Sequence, residues 1–281
     1  MRVAYVNGEY VSQSRAQVSI DDRGFQFADG IYEVVALIKG RWIDLDLHLM
    51  RLYRSCQELD LPFCHSMSVL MSIIIQLQRR NRLSNGLLYI QVTRGVAPRG
   101  HIFPFNASPT LLMTLKPFKF ASQDDDLQSV AVITYPENRW ARPDIKSTSL
   151  LANVLAKQKA HFQKAYEAIY INSDGWVTEG SHSNVWIVNQ EGALQTHPPT
   201  QQILNGITRQ RLILLLSNTD IKIQEQPFNE YDLKNAREVF LTGTTTFIKP
   251  VDQIDDVKIN VDPAKSLVSF LSQKYLEYCG L

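Results

Sequence analysis

Residues 176–188 read Trp-Val-Thr-Glu-Gly-Ser-His-Ser-Asn-Val-Trp-Ile-Val, a polar stretch between two short apolar runs. Trp176-Val177 and Val185 to Val188 have the β-branched and aromatic chemistry of strands, and Thr178 to Asn184 reads as the turn between them. A carboxylate placed there, Glu179, either accepts backbone N–H bonds or faces a ligand, and spacing alone leaves both open. Upstream, Val130 to Thr134 is strand-like, a helix is expected from about Leu150 to Glu167, and Ala168 to Asn172 is again a strand. Downstream, Gly206 to Leu216 reads as a helix and Glu238 to Thr242 as a short strand.

The first half mixes the same elements. Tyr32 to Ile38 is a β-branched run that stops at Lys39-Gly40. Leu49, Leu52, Tyr53, Cys56 and Leu59 recur at helical spacing, with Asp46 as the expected N-cap and Pro62 as the stop. A second helix is expected from about Val69 to Arg82, then strands at Leu87 to Thr93 and Thr110 to Leu115. Strands and helices alternate without a steady βαβ beat, which favours an α+β fold. Composition turns polar from Lys116 to Gln128, predicting an N-terminal domain at 1–116, a linker at 117–128 and a C-terminal domain at 129–281.

The 281 residues are 44% hydrophobic and 20% charged, with a formal net charge of +1, which excludes a basic coat for nucleic acid. Cys56, Cys64 and Cys279 have no CxxC spacing, so neither a disulfide framework nor a metal site is expected. No apolar run approaches the roughly 18 residues of a membrane helix, and the first residues lack a signal-peptide core. The expectation is a soluble, cytoplasmic chain.

No GxGxxG, GxxxxGK[ST] or GxSxG motif is present, so dinucleotide, P-loop and α/β-hydrolase readings lose their support. Polar clusters remain. Asp144 to Ser149 precedes a helix, so Ser147 or Ser149 is a candidate N-cap, or Lys146 is an amine poised for nucleophilic use. Asn205 to Arg209 opens the helix to Leu216, either a plain helix start or a phosphate cradle. Leu241 to Thr246 is a hydroxyl-rich turn, and Arg94 to His101 a basic loop that could bind a carboxylate.

Taken in order, these clusters resemble the fold-type IV pyridoxal-phosphate enzymes, and among them the D-amino-acid aminotransferases. The resemblance runs from Asp21 to about Val251. It is carried by DRGFQFADGIYEVV (residues 22–35), HLMRL (48–52), VTRGVAPRGH (92–101), DIKS with LLANVLAKQKA (144–160), VTEGSHSNV (177–185), LNGITR (204–209) and FLTGTT (240–245). The class signature Glu-x-Ser-x-x-Asn-Val, then Leu-x-Gly-Ile-Thr, is met by Glu179 to Val185 and Leu204 to Thr208.

The resemblance implies a smaller N-terminal α/β domain and a larger C-terminal domain with a barrel-like sheet, holding pyridoxal 5'-phosphate between them. Lys146 would carry the cofactor as a Schiff base and move the substrate proton, and Glu179 would face the pyridine nitrogen. Arg51, Ile207, Thr208 and Thr244 would hold the phosphate, and Leu204 would lie against the ring. Tyr32, Arg99 and His101 would trap the substrate α-carboxylate, with Arg99 and His101 crossing from the partner of a homodimer. The implied reaction is ping-pong transamination of D-alanine and 2-oxoglutarate to pyruvate and D-glutamate, with amino acids and 2-oxo acids as partners. Branched-chain L-aminotransferases and aminodeoxychorismate lyases share the cofactor residues, and a non-catalytic phosphometabolite binder is the rival from another class. One departure stands beside the lysine: Lys146-Ser147-Thr148-Ser149 replaces the family's usual Lys-Ser-Leu-Asn.

Overall fold

The computed structural model describes residues 2–120, 128–261 and 266–281. The expected linker at 117–128 therefore falls mainly on 121–127, outside the described residues. Two compact units emerge: residues 1–120 with Ile145–Ser149, and residues 121–144 with Leu150–Leu281. The stretch around Lys146 is thus grouped with the first unit, although the chain has by then left it.

The first unit holds β1 (Val3–Val6), β2 (Glu9–Ser12), β3 (Gly30–Ile38), β4 (Arg41–Trp42), β5 (Gly86–Thr93) and β6 (Thr110–Lys116). Their order is β2-β1-β6-β5-β3-β4, with every neighbouring pair antiparallel. Three helices accompany them: α1 (Arg23–Phe27), α2 (Leu45–Glu58) and α3 (Met67–Asn81). Ile31, Val35 and Leu37 alternate along β3, Leu88, Ile90 and Val92 along β5, and Leu111, Met113 and Leu115 along β6. That period of two turns one face of the sheet toward α2 and α3, whose Leu49, Leu52, Leu70, Ile74 and Leu77 complete the core. Glu33 interrupts the alternation: it shares the parity of Ile31 and Val35 and is fully buried. At the start of α2, Asp44 in a left-handed conformation occupies the cap position and Asp46 lies in the first turn, so the expected N-cap is displaced by two residues.

The second unit holds β7 (Val130–Pro136), β8 (Glu167–Ile171), β9 (Val177–Gly180), β10 (Asn184–Val188), β11 (Leu194–Thr196), β12 (Ile223–Glu225), β13 (Glu238–Gly243), β14 (Phe247–Ile254) and β15 (Val257–Lys258). The order is β12-β11-β10-β13-β14-β7-β8-β9, with β15 on β14, and the sheet curls into a half barrel. Its helices are α4 (Leu151–Phe162), α5 (Ile207–Leu216), α6 (Glu230–Lys234) and α7 (Leu267–Cys279). β9 and β10 are buried at every residue, which is why they show no polar alternation in sequence.

The helix expected to run to Glu167 stops at Phe162. Lys164 takes φ 60, which ends the helix and turns the chain so that the Tyr166 N–H reaches the Ala131 carbonyl at 2.7 Å. Glu167 then opens β8 with a fully buried carboxylate that accepts the His182 N–H and the Ser181 and Ser183 hydroxyls. Among the described residues no helix is long and apolar enough to cross a membrane.

Candidate active site

In the first unit, β4 covers β3 only opposite Leu37 and Ile38, so the other end of that edge is open to another strand. Residues 145–149 take it. The Tyr32 N–H donates to the Lys146 carbonyl at 2.9 Å, the Thr148 N–H to the Gly30 carbonyl at 2.9 Å, and Ile31 bridges Ser147 in antiparallel fashion. The Thr148 hydroxyl adds bonds to the Ala28 and Gly30 carbonyls at 2.9 and 3.2 Å, so the departure beside the lysine ties this segment to β3 more firmly. Lys146 is therefore displayed by a strand-like bridge and not by a helix start. α4 begins at Leu151 with Leu150 at its cap and no side-chain cap bond, so neither Ser147 nor Ser149 caps it. The Lys146 amine stands 3.4 Å from the Tyr32 hydroxyl and 4.4 Å from its ring centre. Tyr32 in turn stacks on Tyr89 at 5.7 Å.

Arg51 projects from α2 onto Glu33. Its Nε donates to Oε1 at 2.7 Å and its Nη2 to Oε2 at 2.9 Å, while His48 Nδ1 lies 2.7 Å from Oε2. Burial on its own would raise the Glu33 carboxyl; Arg51 and His48 outweigh it and hold the group at about 2. Glu33 is thus a fixed negative charge that orients the guanidinium expected to hold phosphate. No sequence motif assigns Glu33 or His48 to the site. A lone acid in the buried parity of Tyr-Glu-Val-Val-Ala-Leu-Ile, with a His and an Arg three residues apart on the next helix, was the available signal.

Arg99 and His101 are exposed on the loop after β5 and share one partner, Phe27. The Arg99 guanidinium lies 4.6 Å from the Phe27 ring centre, and the His101 and Phe27 rings are 5.6 Å apart. Among the described residues, no hydrogen bond or ring contact joins this pair to Tyr32. The first unit thus forms two groups, Lys146 with Tyr32 and Arg99 with His101.

In the second unit Glu179 lies within β9 and not in a turn, and its side chain is 7% exposed. Oε1 pairs closely with Arg139 Nη1, and Oε2 accepts the Leu204 N–H at 3.1 Å and the Asn184 side-chain amide at 3.2 Å. Arg139 is also held by Glu137, at 2.6 Å from Nη2 and 2.8 Å from Nε, and lies over the Tyr170 ring at 4.4 Å. Burial pushes the Glu179 carboxyl up, Arg139 opposes it, and the balance lies at about 7. Arg139 also escaped the sequence reading, because nothing in Glu137-Asn138-Arg139-Trp140 marks an arginine that only the fold brings to β9.

Three of the residues expected to hold phosphate, Ile207, Thr208 and Thr244, also lie in the second unit. Gly206 is the N-cap of α5 and provides no side-chain cap to the helix start at Ile207 and Thr208, the end where the helix dipole favours negative charge. A Cβ at Gly206 would stand 2.0 Å from Asn184 Oδ1, so only glycine lets the helix start this close. Asn184 also donates to the Leu204 carbonyl at 2.8 Å, linking the helix approach to Glu179. Thr208 is buried with its hydroxyl 3.4 Å from that of Tyr275, and Thr244 is half-buried in the turn between β13 and β14.

The family described as Amino-transferase class IV matches residues 30–254, and the chain belongs to it. It is 42% identical over 256 residues to the D-alanine aminotransferase of Bacillus licheniformis, covering 91% of this chain and 89% of that protein. It is 37% identical over 280 residues to the D-alanine aminotransferase of Staphylococcus haemolyticus, covering 99% of each. Among solved structures, the branched-chain amino acid aminotransferase of Escherichia coli superposes with a TM-score of 0.90 at 23% identity, over 100% of this chain and 94% of that one. A hypothetical aminotransferase from Mycobacterium tuberculosis in its PLP-bound form gives 0.85 at 22% identity, over 98% and 99%. At such identities these two likenesses speak for the fold alone.

Proposed function

We propose that the chain is a pyridoxal-phosphate-dependent transaminase of D-amino acids, converting D-alanine and 2-oxoglutarate to pyruvate and D-glutamate in the cytoplasm. The observation that carries this reading is the clamp on Lys146, which fixes an amine beside a tyrosine hydroxyl. The chain's donors suit the cofactor. Glu179 is a buried carboxylate that shares a proton readily near neutral pH, the α5 start with Thr208 and Thr244 offers anion donors, and Arg51 adds a buried guanidinium. Pyridoxal phosphate, when bound, supplies a carbonyl that takes up and returns the amino group and a ring that accepts the electrons of the substrate Cα.

In this reading Lys146, Arg51, Glu179, Leu204, Ile207, Thr208 and Thr244 are the residues that would hold the cofactor. Lys146 Nζ would move the proton between the substrate Cα and the cofactor C4′, outward from D-alanine in the first half-reaction and back to Cα in the second. The Tyr32 hydroxyl, 3.4 Å away, steadies that amine between transfers. Glu179 would face the ring nitrogen as a carboxylate and keep that nitrogen protonated, and Arg139 favours the charged form of Glu179 against the effect of burial. Arg99 and His101, contributed to the partner's site in a homodimer, hold the substrate α-carboxylate together with Tyr32. Anchoring the carboxylate decides which Cα hydrogen faces Lys146, and so selects the D enantiomer.

The test is product analysis under turnover with D-alanine and 2-oxoglutarate. Equal amounts of pyruvate and D-glutamate are expected, and formation of L-glutamate, or no pyruvate, would overturn the proposal.

A further inference from the structure

The helix α1 is fastened to the loop that carries Arg99 and His101. Asp22 caps α1 through the Gly24 N–H at 2.8 Å and accepts the hydroxyls of Thr93 and Thr110 at 3.0 and 2.7 Å. The Arg23 N–H donates to the Gly95 carbonyl at 2.9 Å, Asp22 bridges Val96, and the Ala97 N–H reaches the Asp21 carbonyl at 3.2 Å. Asp29 joins Arg23 and Arg94 at 2.8 Å each, and Arg94 goes on to the Leu59 and Asp60 carbonyls. Gly24 and Gly95 allow the approach: a Cβ at Gly24 would lie 2.2 Å from Thr93, and one at Gly95, where φ is +96, would lie 1.9 Å from the Ser108 carbonyl oxygen. The loop is therefore secured as far as Ala97.

Pro98 to Phe103 are exposed; Arg94 lies 3.5 Å from the Phe103 ring centre, and α1 reaches the stretch before it with two side chains one helical turn apart. Arg23 Nη1 donates to the Gly100 carbonyl at 2.5 Å, pinning the main chain between Arg99 and His101. Phe27 offers its ring to the Arg99 guanidinium at 4.6 Å, to the His101 ring at 5.6 Å and to the Arg23 guanidinium at 4.9 Å. An aromatic face attracts a guanidinium through its quadrupole, which an aliphatic side chain of equal volume lacks.

We propose that Phe27 is a positioning residue for substrate recognition, its ring setting the orientation in which Arg99 and His101 receive the α-carboxylate. This rests on the function proposed above and extends it to a residue that acts through Arg99 and His101. An Arg99 free to swing still carries its charge, so the loss should fall on substrate binding and leave the chemical step alone.

The experiment compares Phe27→Met, which keeps apolar bulk without a ring, with Phe27→Tyr, both as holoenzymes and both repeated in an Arg99→Gln background. Phe27→Met should raise the KM for D-alanine about fivefold with kcat held within about twofold, as fits loss of an exposed cation–π contact. Phe27→Tyr should restore the KM, and in the Arg99→Gln background neither change should alter it further. An unchanged KM, a fall in kcat matching that in kcat/KM, or the same rise without Arg99 would overturn the proposal. Failure of the wild type with D-alanine counts against the proposed function and shows before any variant is made.

Discussion

The carbonyl of Lys146 accepts the N–H of Tyr32 at 2.9 Å, and its amine stands 3.4 Å from the hydroxyl of the same tyrosine. Both ends of one residue are thus referred to one partner. The lower tie is main chain and independent of the lysine side chain, so Lys146→Ala should keep the bridge to β3 and lose the amine. Transamination should fall by at least about 10³-fold, as removal of a group that is both nucleophile and base requires. Thermal unfolding alongside single-turnover assay checks this, with a Tm near that of the wild type expected.

Glu179 should leave a mark on the pH dependence of stability in the cofactor-free protein. Its carboxyl is raised from an ordinary 4.5 to about 7. Between those values the folded chain keeps a proton that the unfolded chain has lost. Its contribution is therefore fully present below about pH 4.5 and disappears as pH rises through about 7, an effect of about 3 kcal/mol. Glu179→Gln should flatten that slope in urea unfolding measured from pH 5 to 8.

Glu33 works in the opposite sense. Held at about 2 against an ordinary 4.5, it stabilises fully above about pH 4.5 and fails only as pH falls toward 2. Glu33→Gln takes the buried carboxylate from Arg51 and His48, and breaking a buried ion pair in this way typically costs about 3–5 kcal/mol. The variant should unfold at lower urea throughout the neutral range and bind cofactor more weakly, because Arg51 loses the carboxylate that aims it. Equilibrium unfolding and a cofactor titration read the two effects separately.

How far these features could be read in advance depended on whether each was local. β3, β5, β13 and α5 were legible because their apolar periods and flanking glycines lie within a few residues. Lys146 was legible as a residue but not in its setting, since the open edge of β3 is made by residues more than a hundred positions away. The placement of Glu179 in a strand was hidden because β9 is buried on both sides and carries Thr, Glu and Gly, which sequence assigns to turns. Arg139 and Glu33 were missed for a related reason: buried ion pairs bring together distant residues, and charge alone looks the same when solvated.

Gly206 provides a prediction at the other end of the Glu179 network. A methyl group there would push Asn184, which donates to both Glu179 and Leu204. Gly206→Ala should weaken cofactor affinity about tenfold or more while the apo protein loses about 1–3 kcal/mol, the usual cost of overpacking a tight site. Adding Asn184→Ala should recover part of that stability loss, since the clash is removed with the amide.

Transamination of D-amino acids through Lys146 is read in the half-reaction spectrum. Holoenzyme is mixed with D-alanine in the absence of any oxo acid, and the visible band of the cofactor is followed; L-alanine, L-leucine and L-valine are run in parallel. Rapid bleaching with D-alanine, recovery on adding 2-oxoglutarate, and little change with the L-amino acids are expected. A band that ignores D-alanine but bleaches with L-leucine or L-valine would contradict D-amino-acid transamination.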